Sequence, residues 1–296
     1  MLYNNLSGYL REKYGQRLGK ICIDAGFSCP NRDGTVGVGG CVFCGERGSG
    51  EHIDHKKSIK EQVQKALISA KDSDIFIAYF QNFTNTYASL DVLKERYDAA
   101  LFDERIKVLA IGTRPDCIDE EKAELIASYR DKYEVWVELG LQTASDAVAD
   151  GFGRGYKTEV FERAVRILEK YGIPTVAHVI IGLPGDGADG IRETAALLSR
   201  LPIFGLKIHS IYVMQGTRLA SMYERGEYTP PTLSEYIEGA AYILARTRPE
   251  VVIHRLTGDC PPGMLIAPEW NSDKHKIING IVEYMEAHGL SQGSSL

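Results

Sequence analysis

No apolar run in this chain approaches membrane-spanning length, and Met1 to Ser7 lack the basic lead-in and apolar stretch of a secretory signal. These absences point to a soluble, cytoplasmic protein with no membrane partner. A positive balance is missing too: the net charge is −6, which argues against a protein that coats nucleic acid, because neutralising phosphates takes clustered Lys and Arg. Low-complexity tracts, internal repeats and Pro/Ser-rich linkers are also lacking. With 44% hydrophobic and 25% charged residues over 296 positions, the chain has ordinary globular composition and enough length for a single α/β barrel.

Six cysteines are present: Cys22, Cys29, Cys41, Cys44, Cys117 and Cys260. They could form three disulfides, but a long chain without a secretory signal has neither the need nor the compartment for them. Thiolate chemistry is the expectation. One local exception to the acidic balance lies near the start, where Arg11, Lys13, Arg17 and Lys20 face only Glu12 and are interleaved with Tyr3, Tyr9 and Tyr14. Such a segment would suit phosphates and stacked bases, or it is an amphipathic helix docking on the body.

Apolar, β-branched runs alternate with segments of helical period, the pattern of βα units around a parallel sheet. Strands are expected at 20–24, 75–80, 107–112, 134–139, 175–181 and 206–213, with helices at 58–71, 90–102, 120–132, 158–171 and 189–201. Thr158 reads as an N-cap, and Gly172 with Pro174 as a stop. After residue 214 the pattern becomes a helix at 233–246, a strand at 251–254 and a helix at 274–287. The fold class is therefore α/β, a partial (β/α)6 TIM-type barrel with a C-terminal α/β extension. We divide it into an N-terminal extension (1–19), a barrel (20–214) and a C-terminal extension packed on the barrel (215–296). In such barrels function gathers at the C-terminal strand ends, here Gln81 to Thr86, Thr113 to Asp116, Gln142 to Ser145 and Gly182 to Asp186.

The segment Cys29-Pro-Asn-Arg-Asp-Gly-Thr-Val-Gly-Val-Gly-Gly-Cys41-Val-Phe-Cys44 carries most of the chemistry. Three thiolates are one ligand short of a closed four-ligand site, and an iron–sulfur cluster held by three keeps one iron open. Zinc is the alternative, with Cys22 and Cys29 completing a four-cysteine set. Against it, Cys22 is out of phase with Ile21 and Ile23 and points to the other side of its strand. The glycines between Cys29 and Cys41 would let the backbone wrap a bulky cluster and donate N–H groups to its sulfurs.

Leu18 to Gly34, Gly39-Gly-Cys-Val-Phe-Cys44, Ala78-Tyr-Phe-Gln81 and Ile253-His-Arg-Leu-Thr-Gly-Asp259 resemble the radical S-adenosylmethionine (SAM) superfamily, and within it a bacterial subgroup with an Elp3-like radical SAM domain. The resemblance covers nearly the whole chain. Most of the superfamily has C-x3-C-x2-C; the spacing here is the C-x11-C-x2-C of the Elp3-like branch. The resemblance implies a [4Fe–4S] cluster on Cys29, Cys41 and Cys44, with SAM on the open iron, reductively cleaved to methionine and a 5′-deoxyadenosyl radical. It also implies an electron donor such as flavodoxin or ferredoxin.

By the same resemblance, Phe43 would pack on the adenine of SAM. Gln81 and Asn82 would stand where the family carries a Gly-Gly-Glu-like motif for the SAM amino group. Glu138, Gln142 and Arg154 would bind the ribose hydroxyls and the carboxylate. Ile180, Gly182 and Tyr212 would contact adenine. Thr84, Asn85, Thr86, Arg114, Asp116, His209 and His254 would line the mouth. Cys117 and Cys260 are candidate hydrogen-atom donors, Cys260 being preferred as the catalytic thiol. The implied task is modification of a C5 substituent on a wobble uridine of tRNA, without the acetyl transfer of Elp3. The alternatives are a radical SAM enzyme acting on a peptide or small metabolite, and a noncatalytic zinc- or cluster-stabilised binding module.

Overall fold

Side-chain alternation along each strand sorts residues between a face that meets helices and a face that turns inward. In the computed structural model, which describes residues 2–48, 50, 53–70 and 73–296, seven strands form one wholly parallel sheet. They are β1 (Leu18–Ile23), β2 (Ile75–Phe80), β3 (Ile106–Thr113), β4 (Glu134–Gln142), β5 (Thr175–Ile181), β6 (Gly205–Ser210) and β8 (Val252–Arg255), in that order across the sheet. The short strands β7 (Val213–Met214) and β9 (Leu265–Ala267) pair antiparallel beside it.

The helices are α1 (Leu6–Tyr14), α2 (Ile59–Ser69), α3 (Leu90–Ala100), α4 (Glu120–Ala127), α5 (Asp146–Phe152), α6 (Thr158–Lys170), α7 (Ala188–Arg200), α8 (Arg218–Glu224), α9 (Leu233–Ala245) and α10 (Lys274–Ala287). Six strands and the later helices fall where the sequence puts them, and 251–254 supplies the seventh strand. Residue 71, the expected end of the helix at 58–71, lies outside the described residues. The elements not foreseen, α5, α8, β7 and β9, are each seven residues or fewer, too short to show a period. Thr158 is not the cap of α6: Lys157 holds the cap position, and Asp146 Oδ1 accepts from the Thr158 N–H at 2.8 Å and from its hydroxyl at 2.9 Å.

Val135, Val137, Leu139 and Leu141 of β4 join the large core beneath the helices, whereas Trp136 joins a second layer on the inner face with Ile77, Tyr79, Val108 and Val176. The inner face is not flat. Lys207 on β6 reaches Tyr79 on β2, Nζ to Oη 3.3 Å. Four strand spacings in a flat sheet would hold those backbones about 19 Å apart, so the sheet curls into a half-barrel and encloses a lumen.

Helix α1 seals the lower end of this lumen. Its Leu10 enters the inner layer, and Tyr9 and Tyr14 donate to the two oxygens of Glu134 at 2.7 and 2.6 Å. Lys13 adds an ion pair to the same carboxylate at 2.9 Å. The early basic segment is thus the docked helix rather than a stacking platform: two of its three tyrosines are committed to Glu134. Among the described residues no helix is long and apolar enough to cross a membrane.

Glu134→Ala removes three partners of α1 at once. It should lower unfolding stability by about 2 kcal/mol and speed amide exchange in residues 6–14 selectively, as read by denaturant titration and hydrogen exchange. Uniform exchange across the chain would show that α1 is held by apolar packing alone.

Candidate active site

The cysteine loop leaves the C-terminal end of β1 and is folded by its own backbone. Arg32 and Asp33 N–H donate to the Cys29 carbonyl, Val36 and Gly37 to that of Pro30, and Gly40 to that of Asn31 at 2.8 Å. Gly34, Gly39 and Gly40 have φ of 92°, 82° and 79°, the left-handed region where a side chain is strained. These turns bring Cys41 and Cys44 together at the mouth of the half-barrel, all three cysteines of the motif being half-buried.

A hydrogen bond from Cys41 favours the Cys44 thiolate, and nearby Arg32 adds to it, so that Cys44 is lowered to about 7. Cys41 moves the opposite way, as donor to Cys44 and by burial. The Asn31 side-chain amide approaches Cys41 Sγ at 3.6 Å while donating to the Gly153 carbonyl at 2.6 Å. A single zinc ion would need its thiolates converging at about 2.3 Å, and among the described residues no three metal-ligating side chains are so gathered. A cluster would give each cysteine its own iron. Cys22 meanwhile packs on the inner layer of the lumen, away from the loop.

An apolar wall stands beside the loop. Val42, Phe152, Leu183, Ile211 and Val213 are buried together, with Cys41, Phe43 and Ile180 packed against them. Phe43 meets Phe152 at 5.4 Å between ring centroids. Phe43 and Ile180, expected near adenine, are therefore brought to one surface.

Other expected contacts are placed differently. Arg154 is a correction: only 1% exposed, it donates to the carbonyls of Leu141, Thr143 and Tyr156, to Thr158 Oγ1 and to Asp146 Oδ1 at 2.7–3.1 Å. Every guanidinium nitrogen is used within the chain, leaving no fork for a SAM carboxylate; it is a brace between β4, α5 and α6. Gly182 is required by packing within the chain. At φ 95°, a Cβ there would meet Ile211 and Pro231 at 2.7 Å. Asn82 is buried and its amide donates to Asp24 at 2.7 Å. Gln142, at φ 62° on the bulge that ends β4, accepts from the Tyr156 hydroxyl at 3.2 Å. Gln81 follows β2, and half-buried Tyr212 follows β6.

At the mouth, Thr84, Asn85 and Thr86 are fully buried; Asn85 donates to the Gly112 carbonyl and Thr86 bonds Thr113. Arg114 grips Asp116 with two bonds, 2.6 and 2.9 Å. Cys117 is buried beside Asp116, and burial pushes its thiol up to about 12, a poor setting for reactivity. Cys260 lies half-buried in the loop after β8.

Glu138 is already engaged within the chain. Its Oε2 takes the Lys207 ammonium and His178 Nε2, the latter at 2.9 Å, with 3% of the carboxylate side chain exposed. Lys207 and Tyr79 were not anticipated. Their signal was present: Lys207 alternates with apolar Leu206 and Ile208, so a charge faces inward from a central strand.

A curled parallel sheet with a three-cysteine loop at the end of its first strand defines an iron–sulfur enzyme of the radical SAM class. The family model described as the Radical SAM superfamily matches residues 31–198, and one described as the Radical_SAM C-terminal domain matches 203–287. The chain belongs to the radical SAM superfamily; it is a radical SAM enzyme whose cofactors are a [4Fe–4S] cluster and SAM. It is 36% identical over 293 residues to the protein MJ0486 of Methanocaldococcus jannaschii, covering 97% of this chain and 90% of that one. A tRNA uridine(34) acetyltransferase from the same organism is 28% identical over 192 residues, 64% of this chain but 34% of that protein. The structure of Elp3 from Methanocaldococcus infernus superposes with a TM-score of 0.66 at 20% identity, over 79% of this chain and 59% of that one, a likeness of fold.

Arg154→Lys should cost about 3 kcal/mol of stability, since it strands several buried carbonyls, while leaving SAM affinity of the folded fraction intact by equilibrium dialysis. A stable variant with weakened SAM binding would restore Arg154 as a carboxylate ligand.

Proposed function

We propose that this radical SAM enzyme modifies a C5 substituent of a wobble uridine in tRNA, with Cys29, Cys41 and Cys44 as the cluster ligands. The observation that carries the substrate is the likeness to the archaeal tRNA uridine(34) acetyltransferase, which spans 64% of this chain. The chain matches about a third of that protein, so acetyl transfer is not carried over. A change to an existing substituent is the fitting task.

Bound together, cluster and SAM supply a 5′-deoxyadenosyl radical by one-electron cleavage of the sulfonium. The chain's own residues position and shield. Arg32 and the Asn31 amide place positive hydrogen-bond donors beside the thiolates of Cys44 and Cys41, which tunes a cluster potential upward. Phe43, Phe152 and Ile180 keep water from the side of the loop where a nucleoside would lie. The substrate would enter the lumen, between this wall and the α1 floor.

Single alanine variants of Cys29, Cys41 and Cys44 should each lose iron and sulfide after anaerobic reconstitution and form no 5′-deoxyadenosine, whereas Cys22→Ala and Cys117→Ala keep both. Retained cluster in any of the first three removes that residue from the ligand set. The substrate is tested by comparing modified wobble nucleosides from cells with and without the gene. Loss of one C5-substituted uridine is expected, and an unchanged profile would leave a peptide or small metabolite as substrate.

A further inference from the structure

The lumen holds more positive charge than the chain compensates. Lys207, 3% exposed, sits with its Nζ 4.5 Å from the Tyr79 ring centroid, and Lys20 approaches the same ring at 5.2 Å. Arg255 on β8 stands opposite Lys207 in the β6–β8 ladder. Against these three cations stands Glu138, since Asp259 at the rim is shared by Arg255 at 2.8 Å and by Lys274, whose charges cancel. Among the described residues two positive charges then remain in excess there, in a chain whose net charge is −6. His178, His209 and His254 add none, because burial and the neighbouring cations hold their imidazoles neutral.

Polar atoms are also left waiting. Among the described residues, Trp136 Nε1, in a side chain only 1% exposed, and the Nε2 atoms of His209 and His254 are buried with no hydrogen-bond partner. Trp136 and His254 meet edge to face at 5.3 Å, and the rings of His178 and His209 lie tilted at 5.2 Å. Lys20 is exposed and the Arg255 side chain is 30% exposed, so this charge is open to solvent at the edge of the lumen, where an anion can reach it. A ligand that brings negative charge there would offset it.

We propose that the half-barrel lumen is an anion receptor, in which Lys20, Lys207 and Arg255 hold a phosphate or carboxylate group of the substrate. Lys20 and Arg255 come from β1 and β8, the two unpaired ends of the sheet. They flank the seam through which the group enters, and Lys207 receives it from within. The inference rests on the enzyme reading for the lumen as substrate chamber, and it fixes the substrate as acidic there.

The test is calorimetric titration of the anaerobic holoenzyme with uridine 5′-monophosphate, with malonate and, as the uncharged comparison, with uridine. One of the anions should bind saturably and at least about tenfold more tightly than uridine. Lys20→Met should weaken it about tenfold, and Lys20→Met/Arg255→Gln further. Lys20 is exposed and Asp259 keeps Lys274 when Arg255 is replaced, so both variants retain the fold. Preference for the nucleotide assigns the site to a phosphate, preference for malonate to a carboxylate. No saturable anion, equal affinity for uridine, or indifference to Lys20 and Arg255 overturns the proposal. Lost anion binding with 5′-deoxyadenosine formation intact marks the lumen variants as receptor variants. An unchanged wobble-nucleoside profile with Lys20-dependent anion binding removes tRNA and leaves the receptor.

Discussion

The contact on which the architecture depends is the reach of Lys207 across the lumen to Glu138 and Tyr79. It joins β6 to β4 and β2, strands that are not neighbours in the sheet, and so it can exist only when the sheet is curled. Taking both charges out of water is expensive, and the pair returns that cost only with good geometry and added hydrogen bonds. His178 on β5 supplies one such bond. Three consecutive strands are therefore tied through one carboxylate, and curvature, lumen and mouth follow from where these side chains meet.

Curvature also separates two kinds of chemistry. The cysteine loop and the wall of Phe43, Phe152 and Ile180 belong to the C-terminal ends of the strands, where loops can be glycine-rich and backbone N–H groups can face a cofactor. The charged lumen lies below, on strand interiors held by the sheet ladder. Radical chemistry needs the reacting centre dry and the substrate fixed. A glycine-rich loop above and a strand ladder below divide those duties, and Ile180, two residues beyond His178 on β5, stands on the boundary between them.

Much of this was legible in the sequence because it depends on local patterns. The parallel strands show as apolar alternation at regular spacing, and the three-cysteine loop shows as thiols set among glycines. Arg154 was not legible: its neighbours Gly153 and Gly155 look like an exposed loop, and only tertiary closure of α5 against β4 reveals five acceptors converging on it. Gly182 adds a second case: the sequence shows a glycine in a turn, but not that Ile211 and Pro231 from a distant segment leave no space for a Cβ there. Glu138 was found as polar, but its partner Lys207 was not, because that counter-charge lies 69 residues away and no periodicity links the two.

The floor of the lumen has one more property. The Asn4 N–H donates to Gln292 Oε1 at 2.8 Å, Gln292 N–H to the Leu2 carbonyl at 2.9 Å, and Asn5 bridges to Ile253 on β8. Segments up to 288 positions apart are thus buttoned together under the chamber. Contacts of such separation reward the chain only after the intervening sheet has formed and their closure entropy has been met. The chamber is therefore built walls first and floor last, and during folding it is open at both ends, a tube that becomes a cup when its two remote segments clasp.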